Sequence, residues 1–246
     1  MNSAQPVIYI HPSRITFFGA GLELAAHENL VATLIIGCED RFELTTYEQE
    51  QVTGQALTHI ALLPPSQRHL LQTRGEMIFV YLDPLSDDHS RLSSLDLVKT
   101  YELLHSSGAL SARSPRLLHE ALGLEDRAAG AAVLERALRT LERDPDAFTD
   151  VDALAKQVRL SASRLQHVFS ARVGLPFRRY RLWRRMTAAA RILAAGGTLT
   201  RAAHGAGFAS SAHLSTAFKS MFGLTPSALL ALNVTLIVAT THTDGG

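Results

Sequence analysis

Two kinds of hydrophobic pattern divide the chain into a strand-rich first part and a helix-rich second part. Up to about residue 84, apolar residues form short runs or alternate with polar ones, which is typical of β-strands. The pattern predicts six strands, over 7–10, 15–18, 30–36, 42–47, 57–63 and 77–82. Turn-forming residues separate them, for example Pro64, Pro65 and Ser66. We therefore expect a small antiparallel sandwich or barrel.

From about residue 87 the apolar spacing changes to that of helices. Apolar residues recur at every third position and predict one helix of roughly four turns. They are Leu92, Leu95, Val98, Tyr101 and Leu104. Gly108 is expected to end this helix, a second is expected from Pro115 to Gly123, and a third over 128–142. Such helices either pack the two halves together or form the seam of a homodimer, and the pattern leaves both open.

An internal repeat marks the second half, because residues 161–174 fall on 210–223 when shifted by 49 positions. The matching pairs are Ser161 with Ser210, Leu165 with Leu214, Phe169 with Phe218, Gly174 with Gly223 and Leu175 with Leu224. Each copy has a serine N-cap, a Leu/Phe pair four residues apart and a glycine where the helix stops. A short helix is expected before each copy, over 151–158 and 199–205. This arrangement predicts two helix-turn-helix units.

In a helix-turn-helix unit the second helix enters the DNA major groove, so its outward polar residues read bases or contact phosphates. In the first copy the outward residues are Ser163, Arg164, Gln166, His167 and Arg172. In the second copy they are Ser211, His213, Ser215, Thr216 and Lys219. The Leu and Phe of each copy are expected to face the core.

A long helix is predicted between the copies, from Pro176 to Ala195. At ~1.5 Å per residue it would be about 28 Å long, which suits two recognition helices one DNA turn apart. It carries Arg178, Arg179, Arg181, Arg184, Arg185 and Arg191. We expect some of these arginines to contact phosphates, although such a helix can also be a solvated face.

The net charge of +1 conceals two oppositely charged halves. Residues 1–126 hold eight Lys or Arg against sixteen Asp or Glu, whereas residues 127–246 hold sixteen against seven. The basic half favours a polyanionic partner, although a basic face can also serve solubility. Cys38 is the only cysteine, so no intramolecular disulfide is expected. Without a signal-like N-terminus or a bilayer-length apolar run, we expect a cytoplasmic protein with no membrane partner.

The stretch 184–226 resembles the DNA-binding domain of AraC/XylS-type transcription regulators. The matching residues are Ala202, Ala203, Gly207, Phe208, Leu214, Phe218, Lys219, Gly223 and Pro226. The resemblance implies base contacts from Ser163, Gln166 and His167, and from Ser211, Ala212, Ser215 and Thr216. Ser210, Arg178 and Arg179 complete the predicted DNA-binding set. Double-stranded DNA is the implied partner, together with RNA polymerase if the bound protein activates transcription.

By the same resemblance, a cupin-like barrel that binds a small effector precedes the DNA-binding part. An alternative is a metal-dependent cupin enzyme with an appended DNA-binding module. His11, His27, His59 and His69 are scattered without a metal-ligand pattern, so we expect no metal and no cofactor. A second alternative is a regulator controlled by a protein partner. Because no nucleophile–base pair or phosphate-binding loop is found, we do not expect an enzyme.

These observations predict an α+β chain. A small antiparallel β-barrel of the cupin-like type would form a sensing domain over 1–86, and a helical linker or dimerisation segment would follow over 87–126. An all-α domain with two helix-turn-helix units joined by a long helix would occupy 127–231. The tail over 232–246 would either add a strand or be disordered.

Overall fold

The computed structural model describes residues 5–22, 24–84, 86, 88–124, 151–157 and 159–239. We call residues 5–124 the sheet domain. Its strands are β1 (Val7–His11), β2 (Arg14–Ala20), β3 (His27–Glu28), β4 (Thr33–Gly37), β5 (Phe42–Glu48), β6 (Gln51–Thr58), β7 (Ile60–Leu63), β8 (Arg68–Gln72) and β9 (Glu76–Leu82). A further strand, β10 (Thr235–Val238), comes from the other end of the chain.

The strands form two sheets that pack face to face. The six-stranded sheet has the order β10-β1-β2-β9-β4-β7, and the four-stranded sheet has the order β3-β8-β5-β6. Side chains from both sheets, among them Phe17, Ile35 and Phe79 opposite Phe42 and Leu71, form the core between them. The predicted α+β class is confirmed. The predicted barrel is not closed, because the strands divide between two sheets that each keep their own edges.

The sequence prediction missed β3, β8 and all but the last two residues of β6. β3 has only two residues, β6 is mostly polar and exposed, and β8 begins with Arg68 and His69. The predicted strand over 57–63 is in fact two strands in different sheets. The chain turns at His59, where the Thr58 hydroxyl donates to the carbonyl of Ile60 (2.9 Å) and accepts from its N–H (3.2 Å).

Three helices cover the outer face of the six-stranded sheet: α1 (Asp88–Ser93), α2 (Leu97–Ser106) and α3 (Pro115–Ala121). The prediction of one long helix across 92–104 is wrong. Asp96 interrupts it, because its carboxylate accepts hydrogen bonds from the backbone N–H groups of Val98 and Lys99 and starts a new helix. α3 begins at Pro115 as predicted. The helix predicted over 128–142 lies outside the described residues.

The second half contains α4 (Val151–Gln157), α5 (Ala162–Val173), α6 (Phe177–Ala194), α7 (Leu199–Gly205), α8 (Ser211–Phe222) and α9 (Pro226–Ala231). We call α4 and α5 the first unit, and α7 and α8 the second unit. No helix among the described residues is long and apolar enough to cross a membrane.

After α9 the chain returns to the sheet domain. β10 lies parallel to β1, in a register that aligns Val7 with Thr235 and Ile10 with Val238. The N–H of Thr235 donates to the carbonyl of Pro6 (2.9 Å). Of the two expectations for the tail, the added strand is therefore the one found for 235–238.

Candidate nucleic-acid interface and interdomain cavity

The two predicted recognition helices, α5 and α8, begin and end alike. The Ser161 hydroxyl accepts a hydrogen bond from the N–H of Arg164 (3.2 Å), and the Ser210 hydroxyl accepts one from the N–H of His213 (3.1 Å). Each helix ends at a glycine with a left-handed backbone, Gly174 with φ +71° or Gly223 with φ +75°. The serines and glycines of the repeat thus have the same structural role in both copies.

The predicted DNA-facing residues of α5 are exposed. Ser163, Arg164, Gln166 and His167 all reach solvent, whereas Leu165 and Phe169 are buried. The side chain of Arg172 lies outside the described part of the structure. The first unit therefore presents a hydroxyl, a guanidinium, an amide and an imidazole on one recognition helix.

The corresponding surface of α8 is less polar. Ala212, His213, Thr216 and Lys219 are exposed, and Ser211 and Ser215 are half-buried. Ser210 is half-buried and its hydroxyl is engaged as the N-cap. Short hydroxyl side chains and one lysine thus dominate this helix, so it offers fewer groups for base recognition than α5 does.

Helix α6 connects the two units. It has 18 residues, and at ~1.5 Å per residue it is about 27 Å long. Of its arginines, Arg178 is exposed, while Nη2 of Arg179 lies 3.6 Å from Oε2 of Glu28 in the sheet domain. Arg185 donates to the backbone carbonyls of Ala206 and Gly207 and lies over the ring of Phe208. Part of the arginine-rich pattern therefore holds the second unit against α6.

Arg184 belongs to a buried contact between α6 and the sheet domain. Oδ2 of Asp83 accepts hydrogen bonds from Nη1 of Arg184 (2.9 Å) and from Nε1 of Trp183 (3.1 Å). All three residues are buried. Asp83 directly follows β9, so this contact ties the end of a central strand to the helix that joins the two units. Sequence reasoning missed it because the partners are about a hundred positions apart.

A cavity of about 100 Å³ lies between the sheet domain and the second unit. On the sheet side its walls include Ile8, Ile15, Phe17, Phe79 and Tyr81. On the helical side they include Met186, Ala190, Leu193, Leu214, Phe218 and Phe222. Leu229 of α9 and Leu236 of β10 also line the cavity. The sequence predicted an effector pocket inside a barrel. The cavity instead lies where the helices cover the edge of the sheet-domain core.

Two buried histidines face each other beside the C-terminal end of α8. Nδ1 of His27 bonds to the carbonyl of Ala25 (2.8 Å), Nδ1 of His69 bonds to that of Gln67 (2.9 Å), and the ring centroids are 4.4 Å apart. Burial, followed by the neighbouring His69, lowers the pKa of His27 to about 4. In the part of the chain that the structure describes, no three His, Cys, Asp or Glu side chains lie close enough together to hold a metal ion.

Comparison with known proteins agrees with this architecture. Residues 154–231 match the family model described as a helix-turn-helix domain. A variant of ToxT from Vibrio cholerae strain SCE256, solved in its apo form, is 14% identical with a TM-score of 0.61, over 90% of this chain and 98% of that one. Wild-type ToxT with an unsaturated fatty acid bound is 14% identical with a TM-score of 0.56, over 90% and 96%.

A third structure, ToxT from strain O395 bound to (E)-4-(8-methylnaphthalen-1-yl)but-3-enoic acid, is 15% identical with a TM-score of 0.56, over 89% of this chain and 99% of that one. No curated protein sequence matches the chain. At such identities the ToxT similarity shows a shared fold. The chain therefore carries a helix-turn-helix domain over residues 154–231, within a fold that it shares with ToxT.

Proposed function

We propose that this protein is a sequence-specific DNA-binding transcription regulator whose affinity for DNA is modulated by a small effector. The observation that carries the proposal is the pair of capped recognition helices, each with outward polar residues, at the two ends of one 18-residue helix. The length of α6, about 27 Å, is close to the ~34 Å of one DNA turn, which suits two recognition helices that enter successive major grooves on one side of a duplex.

The side chains divide into two kinds of DNA contact. Gln166 can pair with adenine through two hydrogen bonds, Ser163, Ser211, Ser215 and Thr216 can bond to base edges, and Ala212 can contact a thymine methyl group. Arg164, Arg178 and Lys219 are exposed cations suited to phosphates, and we include His167, Arg172, Arg179, Ser210 and His213 in the proposed interface. Within this proposal, residues 127–231 bind DNA and residues 1–86 sense the effector.

The effector part of the proposal rests on the cavity and on its position. ToxT structures contain an unsaturated fatty acid or a naphthalenyl butenoic acid, and the present chain has an apolar cavity at the contact between its two halves. A molecule that binds one arrangement of the halves more tightly than another shifts DNA affinity by that difference in binding free energy.

The remaining partners are also proposals. A homodimer through α2 is one of them, because Val98 and Leu103 on this helix are 68% and 54% exposed. RNA polymerase is a partner if the DNA-bound protein activates transcription. Both would act in the cytoplasm. Sedimentation velocity of the wild type and of a Val98→Asp, Leu103→Asp variant tests the dimer, which the two carboxylates should dissociate.

The test of DNA recognition starts with selection of duplexes from a random pool, followed by fluorescence anisotropy across a salt series. We expect tight binding to selected duplexes that survives nonspecific competitor and weakens with salt. Gln166→Ala should lose roughly 1–3 kcal/mol of discrimination at one base pair. Lys219→Gln should reduce the salt slope by about 0.9 at every sequence.

Lys99→Gln is the matched control for Lys219→Gln. Lys99 is an exposed lysine on α2 of the sheet domain and is not a proposed phosphate contact, so its loss should leave the salt slope unchanged. If no duplex is enriched, or if Gln166→Ala weakens all sequences equally, sequence-specific recognition by these units is refuted.

A further inference from the structure

The two helix-turn-helix units have equivalent sequences but different cores. Phe169 of the first unit is fully buried, with its ring 5.3 Å from that of Phe177 and 5.4 Å from that of Tyr180. Its repeat partner Phe218 is only half-buried and lines the cavity. The first unit therefore completes its core with residues of α6, whereas the second unit has an unfilled space beside its recognition helix.

The sheet domain supplies the rest of the second unit's core. The ring of Tyr81 on β9 meets the ring of Phe222 at the end of α8 edge-on, with centroids 5.3 Å apart. Ile8 and Ile15 line the same cavity as Leu214 and Phe218. One face of the second recognition helix thus packs against the sheet domain and lines the cavity.

Backbone contacts also attach the second unit to the sheet domain. The N–H of Ala25 donates to the carbonyl of Gly223 (3.3 Å), directly after the last residue of α8. β10, which follows α9, pairs with β1 and places Leu236 in the cavity wall. The second recognition helix is therefore held at its end and along one face by the domain that contacts the cavity.

The chemistry of the cavity wall restricts what can bind there. Among the described residues that line it, every side chain is apolar except that of Tyr81. Burial raises the pKa of the Tyr81 hydroxyl, which therefore stays neutral. A carboxylate or an ammonium group in this space would lose its hydration without gaining an opposite charge, which is strongly unfavourable. The wall selects for a neutral apolar molecule.

We propose that the cavity binds a neutral apolar molecule that becomes part of the core of the second unit, and that the effector therefore acts on α8 and not on α5. The regulatory part of this inference rests on the proposed function, but binding of the molecule to the cavity does not require DNA. It assigns a ligand class that differs from the acids bound in the ToxT structures, because none of the described residues that line the cavity has a charged side chain. It also assigns the route of regulation, through the less polar of the two recognition helices.

The first experiment compares two probes of similar shape, toluene and benzoate. A cavity of ~150 Å³ lined by apolar side chains is known to take up benzene, so a single ring is a suitable size for a cavity of this order. Trp183 is the only tryptophan and its ring lies 6.5 Å from that of Tyr81, so its fluorescence reports on the cavity. We expect toluene to change this fluorescence and to bind at least about ten-fold more tightly than benzoate.

Two substitutions of alanine by leucine, one on α6 and one just after it, localise the binding. Ala190→Leu adds three carbon atoms at the cavity wall and should abolish the response to toluene. Ala195→Leu makes the same change at an exposed position just after α6 and should leave the response intact. Thermal unfolding of both variants verifies that they fold. Equal binding of benzoate and toluene, or an unaltered toluene response in Ala190→Leu, would overturn the assignment of the cavity.

Hydrogen exchange then tests the route without any DNA. Toluene should slow exchange of the backbone amides of 211–222 and leave those of 162–173 unchanged, and Ala190→Leu should remove the effect. Equal slowing in both helices would refute action through the second unit. On a selected duplex, toluene should alter hydroxyl-radical protection only in the half-site bound by α8. This half-site is the one whose protection does not change in the Gln166→Ala variant. If no duplex can be selected, the proposed function fails while the binding and exchange results still decide the ligand class and the route.

Discussion

Replacing Gly223 by alanine measures how closely the second recognition helix is held against the sheet domain. A Cβ atom at this position would lie 2.8 Å from the carbonyl oxygen of Ala25, 2.9 Å from Nδ1 of His27 and 3.0 Å from Cβ of Leu24. For Gly174, its equivalent in the first unit, no atom of the described residues lies within 4 Å of the same position. The repeat therefore provides a matched pair in which only one substitution affects the domain contact.

The backbone contribution is nearly the same in both variants. The glycines have φ of +75° and +71°, and alanine in this left-handed region costs roughly 1–2 kcal/mol. At residue 223 the sheet domain must also move by several tenths of an ångström, and overpacking of this kind costs typically about 1–3 kcal/mol. We therefore expect Gly174→Ala to lose about 1–2 kcal/mol of stability and Gly223→Ala about 2–5 kcal/mol.

Urea denaturation followed by the fluorescence of Trp183 measures both losses, since this side chain is buried where α6 meets the sheet domain. The difference between the two variants is the quantity of interest, because the shared backbone contribution cancels. Equal losses would show that the second unit is not pressed against the sheet domain in solution, and the reasoning from the close approach would be refuted.

Two further predictions concern buried polar groups. Asp83→Ala removes the buried carboxylate that accepts hydrogen bonds from Arg184 and Trp183, and it should cost about 3–5 kcal/mol in urea denaturation. Loss of the partly exposed N-cap Asp96 should cost only about 1 kcal/mol, and similar losses would argue against the buried contact. The pKa of His27 is about 4 in the folded protein against 6.5 for an ordinary histidine, so between these values the unfolded chain takes up a proton that the folded one does not. Stability should therefore fall as pH drops from 6.5 towards 4, by up to roughly 3 kcal/mol, and His27→Gln should flatten that slope in thermal unfolding scans from pH 7.5 to 5, an unchanged slope counting against this origin.

The helix-turn-helix units could be predicted because their determinants are local. A serine, an apolar pair and a glycine at fixed spacing specify where α5 and α8 begin, which side is buried and where each helix ends. The break between α1 and α2 could not be seen in the apolar spacing, because it depends on the hydrogen bonds made by one carboxylate, that of Asp96. A capping residue such as Asp96 is hard to recognise from the sequence when the stripe of apolar residues continues on both sides of it.

The contacts between the sheet domain and the helix-turn-helix units could not be predicted from the sequence. Arg184 and Arg185 look like DNA-binding cations, yet one is paired with Asp83 and the other with backbone carbonyls of the second unit. The cavity combines residues as distant as Ile8 and Leu236. Each of these residues has an ordinary local context, and its role arises from a neighbour that only the folded chain brings close.

The pairing of β1 with β10 has a consequence for synthesis on the ribosome. Val7 is made 228 residues before its partner Thr235, and at ~5–20 residues per second that delay is roughly 10–45 s. Throughout this interval one edge of β1 offers unpaired N–H and C=O groups, which attract strands of other chains. Both helix-turn-helix units have to be synthesised before that edge is covered. A nascent chain that stalls within the second unit therefore exposes a site for aggregation, and the completed chain removes it by its own folding.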